Sequence, residues 1–524
     1  MTKELVADVV IIGGSTGGCA AALAAAKAGC NVIMTEETKW IGGQMTNQAV
    51  PPDEHRWIES FGCTRSYRQF RDSVRNYYQT HFPLSETGRA NIPFNPGSAI
   101  VSRISHEPRA ALAVLYQMLA PYLHSGKVQL LTETKIVRVE TDGDDVVAVE
   151  VAHQHTKASH LLRAPFYLDG TDCGDVLPLA GVEYVTGAES QKETGEPHAL
   201  TGDSDPMDMQ AITHCFAIDY VDGEDYTIEK PTQYDFWKNY QAPFWPNEQL
   251  SWTGVNPVTL DPITYGFFKE EGKFSLWEYR RLIAKENFAN QTFSSDISLI
   301  NWPQNDYWLG PIIDVSEEVK QKHLEGAKQL SLSLLYWMQT EAPRPDGGQG
   351  YMGLRLRPDV VGTDDGLAMY PYIRESRRIK AEFTVVEQHI SAAVREGKPA
   401  ENFHDSVGIG CYRIDLHPST GMQSFIDISS LPFQIPLGSL IPVRVNNLLP
   451  ASKNLGVTHI TNGCYRLHPV EWNIGEVVGY LAAFCLKHKL SPRQVRNNAT
   501  HLEQFQRELV QAGIELAWPS VHAV

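Results

Sequence analysis

The segment that most restricts this chain is its first 36 residues, which read as strand, glycine turn, helix, strand and carboxylate. Val9-Val10-Ile11-Ile12 is an unbroken apolar run of the kind buried in a parallel sheet. Gly13-Gly14-Ser15-Thr16-Gly17-Gly18 is the turn, Cys19 to Gly29 an alanine-rich helix, and Asn31 to Thr35 the second strand. This is half of a doubly wound α/β fold. A glycine turn that follows a strand and opens a helix lets bare backbone approach a pyrophosphate at the positive helix end. Glu36, 23 residues after Gly13, stands where a carboxylate accepts from ribose hydroxyls, and its charge disfavours a 2′-phosphate. The middle glycine of the dinucleotide fingerprint is Ser15 here, still small enough for close approach.

Later segments separate FAD from NAD. Trp40-Ile41-Gly42-Gly43-Gln44-Met45-Thr46 places a second glycine pair just past the ribose carboxylate, where a chain can run along an extended cofactor; a nicotinamide dehydrogenase does not need it. A helix is expected over Glu107 to His124, and a hairpin of Val128 to Val139 with Val146 to Val151 about the turn 142–145. A third buried strand, Ala164 to Leu168, ends in the acidic turn Asp169-Gly170-Thr171-Asp172-Cys173-Gly174-Asp175. Near the C-terminus, Leu448 to Asn454 precedes a small-residue stretch, His459 to Ala483, in which Asn473, Gly475 and Glu476 are expected to open a helix aimed at the flavin O2/N1 edge.

Between these segments the texture changes. Trp237, Trp245, Trp252, Trp277, Trp302 and Trp308, six of eleven tryptophans, fall within 72 residues and point to a separate cap, with flat walls suited to sugars or planar heterocycles or else a dense core. A long helix begins at Ser316 and stops before Pro343. The resulting division is a discontinuous cofactor domain over 1–60, 100–183 and 431–490, a substrate or cap domain over 184–430, and a peripheral helical segment over 491–524. The class is α/β, α+β overall: a Rossmann-like cofactor domain with a large insertion.

With 45 Lys+Arg against 62 Asp+Glu, the net charge of −17 lacks the electrostatic term that holds phosphate backbones or anionic lipid, and no basic run restores it. Nucleic acid and membrane are excluded as expected partners. No window approaches the roughly 20 apolar residues of a membrane span, and the N-terminus reads as no signal peptide. Eight scattered cysteines without a C-x-x-C fit a reducing cytoplasm and no zinc site; no metal is expected.

The combination resembles the bacterial FAD-dependent oxidoreductases of the glutathione-reductase-like superfamily, related to fumarate reductase flavoproteins, some of which carry the label xanthan lyase. The resemblance is nearly full length. Beyond the N-terminal turn, Ile41 to Gln44 and Asp169 to Asp172, it rests on the more specific blocks Tyr370 to Arg378, Thr458 to Gly463 and Arg466-Leu467-His468-Pro469. It implies that FAD is held by Gly13, Gly14, Ser15, Thr16, Gly17, Gly18, Glu36, Glu37, Gly42, Gly43, Gln44, Val137, Asp169, Gly170 and Asp175, with Asn473 and Gly475 near its ring. Ser15 for glycine and Asp169-Gly170-Thr171 for the commoner Asp-Ala-Thr-Gly are departures.

Hydride transfer at a flavin needs a proton acceptor and an anchor for substrate charge. His468 is the first choice as acid/base, His459 the second, and Arg466 the holder of an anion. The Tyr370 to Arg378 block is either a substrate clamp or a scaffold in which Glu375 pairs with Arg374 or Arg377, and the turns Asn305 to Trp308 and Asp415 to Pro418 are candidates to face the flavin from the cap. The leading expectation is oxidation of a CH–OH or CH–NH group of a small polar or heterocyclic substrate. Reduction of an activated C=C bond and a flavin-binding redox sensor are the alternatives. The electron acceptor, oxygen or another redox partner, and self-association are left open.

Overall fold

A computed structural model describes residues 3–519. In chain order, the first half contains β1 (Lys3–Val6), β2 (Val9–Ile12), α1 (Thr16–Lys27), β3 (Val32–Thr35), α2 (Arg65–His81), α3 (Pro108–His124), β4 (Val128–Leu131), β5 (Thr134–Asp142), β6 (Asp145–His153), β7 (Ser159–Arg163) and β8 (Phe166–Asp169). Every residue of β2, β3 and β8 is buried, as a sheet covered on both faces requires. The middle of the chain adds β9 (Phe216–Tyr220), β10 (Arg281–Ile283), β11 (Ile297–Ile300), α4 (Glu317–Thr340) and β12 (Leu354–Leu356). The chain returns through β13 (Leu448–Pro450), α5 (His459–Tyr465) and α6 (His468–His488).

Five strands form the cofactor-type sheet, in the order β13-β8-β2-β3-β4, all parallel. Val128–Leu131 therefore is not part of the expected hairpin. It pairs with β3, and the hairpin is β5–β6 alone, in a second sheet β1-β7-β6-β5. An apolar run reads alike in a hairpin and at the edge of a parallel sheet, and here the polar break at Thr132 and Glu133 separates the two.

The insertion is built on the antiparallel sheet β10-β11-β9-β12. Its pleat divides the side chains between two cores. Ala217, Ile297 and Leu299 join the core that contains α1 and α6, whereas Phe216, Ile218 and Ile300 join Trp237, Trp252, Trp277, Trp302 and the apolar stripe of α4. The tryptophans are thus mostly core. Within the expected 184–430 insertion, Val385, Ile390, Val407, Ile414 and Leu416 pack into the first core, while Phe425 joins Trp245 and Trp308 in a smaller cluster. Ser316 caps α4 as anticipated, its hydroxyl accepting from Val319 N–H at 3.3 Å.

Candidate active site

The glycine turn is shaped by close backbone contact. Gly13 has φ +97°, and a Cβ there would lie 2.4 Å from the carbonyl carbon of Gly170. Gly170 in turn faces Gly13 O, so the turns after β2 and β8 fit only as a glycine pair. Ser15 is the N-cap of α1, its Oγ accepting from Gly18 N–H at 3.1 Å, which gives the departure from glycine a purpose. Gly14 N–H donates to Glu36 Oε2 and Gly17 N–H to Glu471 Oε1. The buried amides of Ser15 and Thr16 have no acceptor among the described residues. A Cβ on Gly43, whose φ is +52°, would lie 3.0 Å from Ser15 Cα and 3.1 Å from Thr16 N, so only glycine leaves that space open.

Glu36 lines a narrow cleft with Ile12, Gly13, Thr35, Thr134, Ile136, Gly170 and Asp172. Burial pushes its carboxyl up to about 8, against the lowering effect of Thr38 N–H and hydroxyl, which donate to Oε1 at 2.8 and 2.7 Å. Further along, Gln44 Oε1, Asn47 Oδ1, Gln48 Nε2, Asn462 Oδ1 and Arg466 Nε are buried without partners among the described residues. Unpaired amides at a helix N-terminus, a glycine-cleared approach and a trail of orphaned donors and acceptors fit an elongated dinucleotide.

On the other side of the 370–378 segment lies a chain of buried ion pairs. Arg374 meets Asp306 at 2.9 Å, Arg466 meets Asp415 at 3.1 Å, Arg280 meets Asp53 at 2.8 Å, and Arg378 is shared by Glu189 and Glu375. Two histidines close this chain toward a cavity of about 510 Å³. His417 Nδ1 is 2.6 Å from Asp306 Oδ2, and His459 Nδ1 is 3.0 Å from the Glu375 carboxylate. Burial works against charge on the His459 ring, but Glu375 outweighs it and raises the histidine's proton affinity. Burial likewise opposes the Asp306 charge, and Arg374 with His417 more than compensates, keeping it ionised. Asp306 Oδ1 also accepts from Thr213 Oγ1 at 2.5 Å, so its orientation is fixed.

The sequence matches the FAD dependent oxidoreductase family over residues 8–509. The chain belongs to that family. FAD is accordingly its cofactor, and the orphaned amides and glycine cradle described above have the chemistry to fit it. No curated protein matches the chain. Among solved structures, OxyS anhydrotetracycline hydroxylase from Streptomyces rimosus aligns at 11% identity over 97% of this chain and 67% of its own, with TM-score 0.32. L-proline dehydrogenase from P. horikoshii aligns at 16% identity, 36% and 24% coverage and TM-score 0.20. Glycerol-3-phosphate dehydrogenase from Bacillus halodurans, complexed with FAD, aligns at 11% identity, 41% and 39% coverage and TM-score 0.23. The chain thus spans only 24% and 39% of the lengths of the proline and glycerol-3-phosphate dehydrogenases.

Within this family member, the anticipated residues divide. Gly13 to Gly18, Glu36, Gly42, Gly43, Gln44 and Gly170 converge at one edge of the sheet, with Glu37 and Asp175 lining the same cleft. Gln44 Nε2 donates to Arg466 O at 3.0 Å and also to Glu471, joining the two ends of the chain. Val137 is 53% exposed while its neighbour Ile136 lines the cleft, so strand alternation leaves only the Val137 backbone for the cofactor. Asp169 spends both oxygens on Thr171 and Val176 within its own turn, and holds the turn rather than a ligand.

Asn473 and Gly475 are not at a helix start. α6 begins five residues earlier at His468, Asn473 accepts from Ile409 N–H, and Gly475 lies against Gly17 of α1. His468 is fully buried with Nδ1 accepting from Asp53 N–H at 3.1 Å and Nε2 facing Val50 O at 3.2 Å. Burial depresses its pKa to about 3, and with both ring nitrogens held by backbone it positions the 50–53 segment instead of exchanging protons. Sequence reasoning gave no role to Lys453, which is fully buried between Asp172 at 2.5 Å and Glu471 at 3.4 Å, nor to the Asp53–Arg280 pair; the Lys453–Asp172 and Asp53–Arg280 partners lie 281 and 227 positions apart, so neither pairing has a local signal.

Proposed function

We propose that this flavoprotein oxidises a CH–OH or CH–NH group of a small polar molecule, with His417 as proton acceptor. The observation that carries the reading is the pair of carboxylate-backed imidazoles, His417–Asp306 and His459–Glu375, at one cavity. Bound FAD supplies the hydride acceptor. Ser15 and Thr16 N–H at the N-terminus of α1 would hold its pyrophosphate, and Glu36 would accept from its ribose hydroxyls. His417 removes the proton from the substrate heteroatom through Nε2, while Asp306 fixes the ring through Nδ1 and stabilises the imidazolium. His459, with its proton affinity raised by Glu375, holds a proton in the same cavity and orients the substrate. Arg374 and Arg466 each neutralise a carboxylate, so neither stands free to anchor a substrate anion, which argues against the enoate reductase reading.

The eight buried, unpaired thiols support a cytoplasmic setting, and no helix among the described residues is long and apolar enough to cross a membrane. The test is anaerobic flavin reduction: bleaching of the oxidised holoenzyme by an alcohol or amine supports the proposal. Reoxidation of the reduced enzyme by an enoate, with no bleaching by any alcohol or amine, would overturn it in favour of C=C reduction.

A further inference from the structure

The 510 Å³ cavity that His417 and His459 share has a wall of one sign. Glu189, Asp203 and Asp208 line it, and neither a lysine nor an arginine does. Glu189 is neutralised from behind by Arg378, and Asp203 stands at the exposed rim with Lys192 3.5 Å away. Asp208 is different. It is 2% exposed, yet it enters no ion pair among the described residues, and Gly421 N–H at 2.9 Å is the sole donor described for its carboxylate, on Oδ1. Gly421 makes that approach possible, because a Cβ there would fall 2.3 Å from Asp208 Cγ. No donor is described for Asp208 Oδ2, and the residue lines the cavity.

Ser419, also 2% exposed, lies in the same wall, with its Oγ sealed and without a hydrogen-bond partner among the described residues. The two carboxylates that back the cavity histidines are each compensated, Asp306 by Arg374 and His417 and Glu375 by Arg378 and His459, whereas Asp208 touches no cation among the described residues and only adds to the field on the His459 ring. A nearly buried carboxylate is costly without a counter-charge, so Asp208 marks the place where a cation is to be supplied from outside. Phe425, with its ring 5.5 Å from that of His417, offers an apolar and aromatic face on the same wall.

We infer that the cavity binds an amine as its ammonium cation, with Asp208 as the charge anchor. The volume suits a small molecule. The inference rests on the oxidase or dehydrogenase reading above and selects CH–NH over CH–OH as the group presented. Asp208 is then a specificity-determining residue, and a carboxylate-bearing substrate is disfavoured by the three acids of the wall.

The experiment compares three probes of one shape, benzylamine, benzyl alcohol and benzoate, on the FAD-loaded full chain by titration calorimetry and thermal shift. The expected result is benzylammonium binding at least tenfold more tightly than benzyl alcohol, with no benzoate binding, and a loss of about tenfold or more for benzylammonium alone in Asp208→Asn. Equal affinity for alcohol and ammonium, or binding of benzoate, would overturn the inference on the wild-type protein even if the variant failed to fold. An Asp208→Asn protein that folds and keeps its ammonium affinity would overturn it as well. Ammonium binding without flavin bleaching by any substrate would sink the oxidation reading and leave the binding site standing; bleaching by alcohols without ammonium preference would do the reverse.

Discussion

Glu36 shows how one buried carboxylate couples cofactor uptake to pH. In the folded protein its pKa is raised to about 8, chiefly by burial, from the 4.5 of an unperturbed glutamate. Between these values the native state holds a proton that the unfolded chain has released, so this group makes the apoprotein less stable as pH rises through that window. In the proposed site, ribose hydroxyls would donate to Glu36 and favour its charged form, so FAD uptake would release the proton. Affinity for FAD is therefore expected to rise toward about pH 8, by up to about tenfold per pH unit, and to lose that slope in Glu36→Gln. Fluorescence titration of apoprotein with FAD checks this; a flat profile in the wild type would remove Glu36 from the ribose site. The two histidine environments give a second residue-scale expectation. His417→Gln should slow flavin reduction by roughly 10²–10⁴-fold with FAD content intact. His468→Gln, at a ring held by backbone on both sides, should instead appear as lost thermal stability with reduction rates per bound flavin little changed.

At the scale of elements, the cofactor turn depends on a helix pair built from small residues. A Cβ on Gly17 would fall 1.9 Å from Ala451 O, one on Gly475 1.9 Å from Gly17 O, and one on Gly479 2.5 Å from Ala21 O, so α1 and α6 touch backbone to backbone. Gly475→Ala must push α6 away from the α1 N-terminus, and overpacking of this kind costs about 1–3 kcal/mol or more. Lower melting temperature together with weaker FAD retention is expected; a drop in stability with unchanged FAD affinity would mean that the helix pair does not set the turn. The sequence made one partner of this contact legible and hid the other. Val9 to Glu36 could be read because strand, turn, helix and carboxylate are local and each has its own signature. Gly475 could not be read, since its partner lies 458 positions away and a helical glycine looks the same beside a flavin as beside a helix. The same limit explains the candidate bases: the 305–308 and 415–418 turns were recognisable as polar and aromatic, but the pairing of Asp306 with His417 across 111 residues exists only in the fold.

For the molecule as a whole, the central question is whether the insertion and the cofactor unit behave as two bodies. The sheet β10-β11-β9-β12 contributes side chains to both cores, and Arg280, just before β10, reaches Asp53 in the loop that His468 holds. This pair is nearly buried on both sides, and the pKa of Asp53 is lowered because Arg280 overcomes its burial. Removing one partner leaves the other charge uncompensated, a loss of about 3–5 kcal/mol. With the two cores sharing a sheet and this bridge, unfolding should be a single transition. Tryptophan fluorescence, dominated by the insertion, and release of FAD, held by the other unit, should then follow the same denaturant curve in the wild type. Arg280→Ala should move both midpoints down together. If tryptophan exposure instead precedes FAD release, the insertion is an independent domain and the shared sheet does not couple it to the cofactor site.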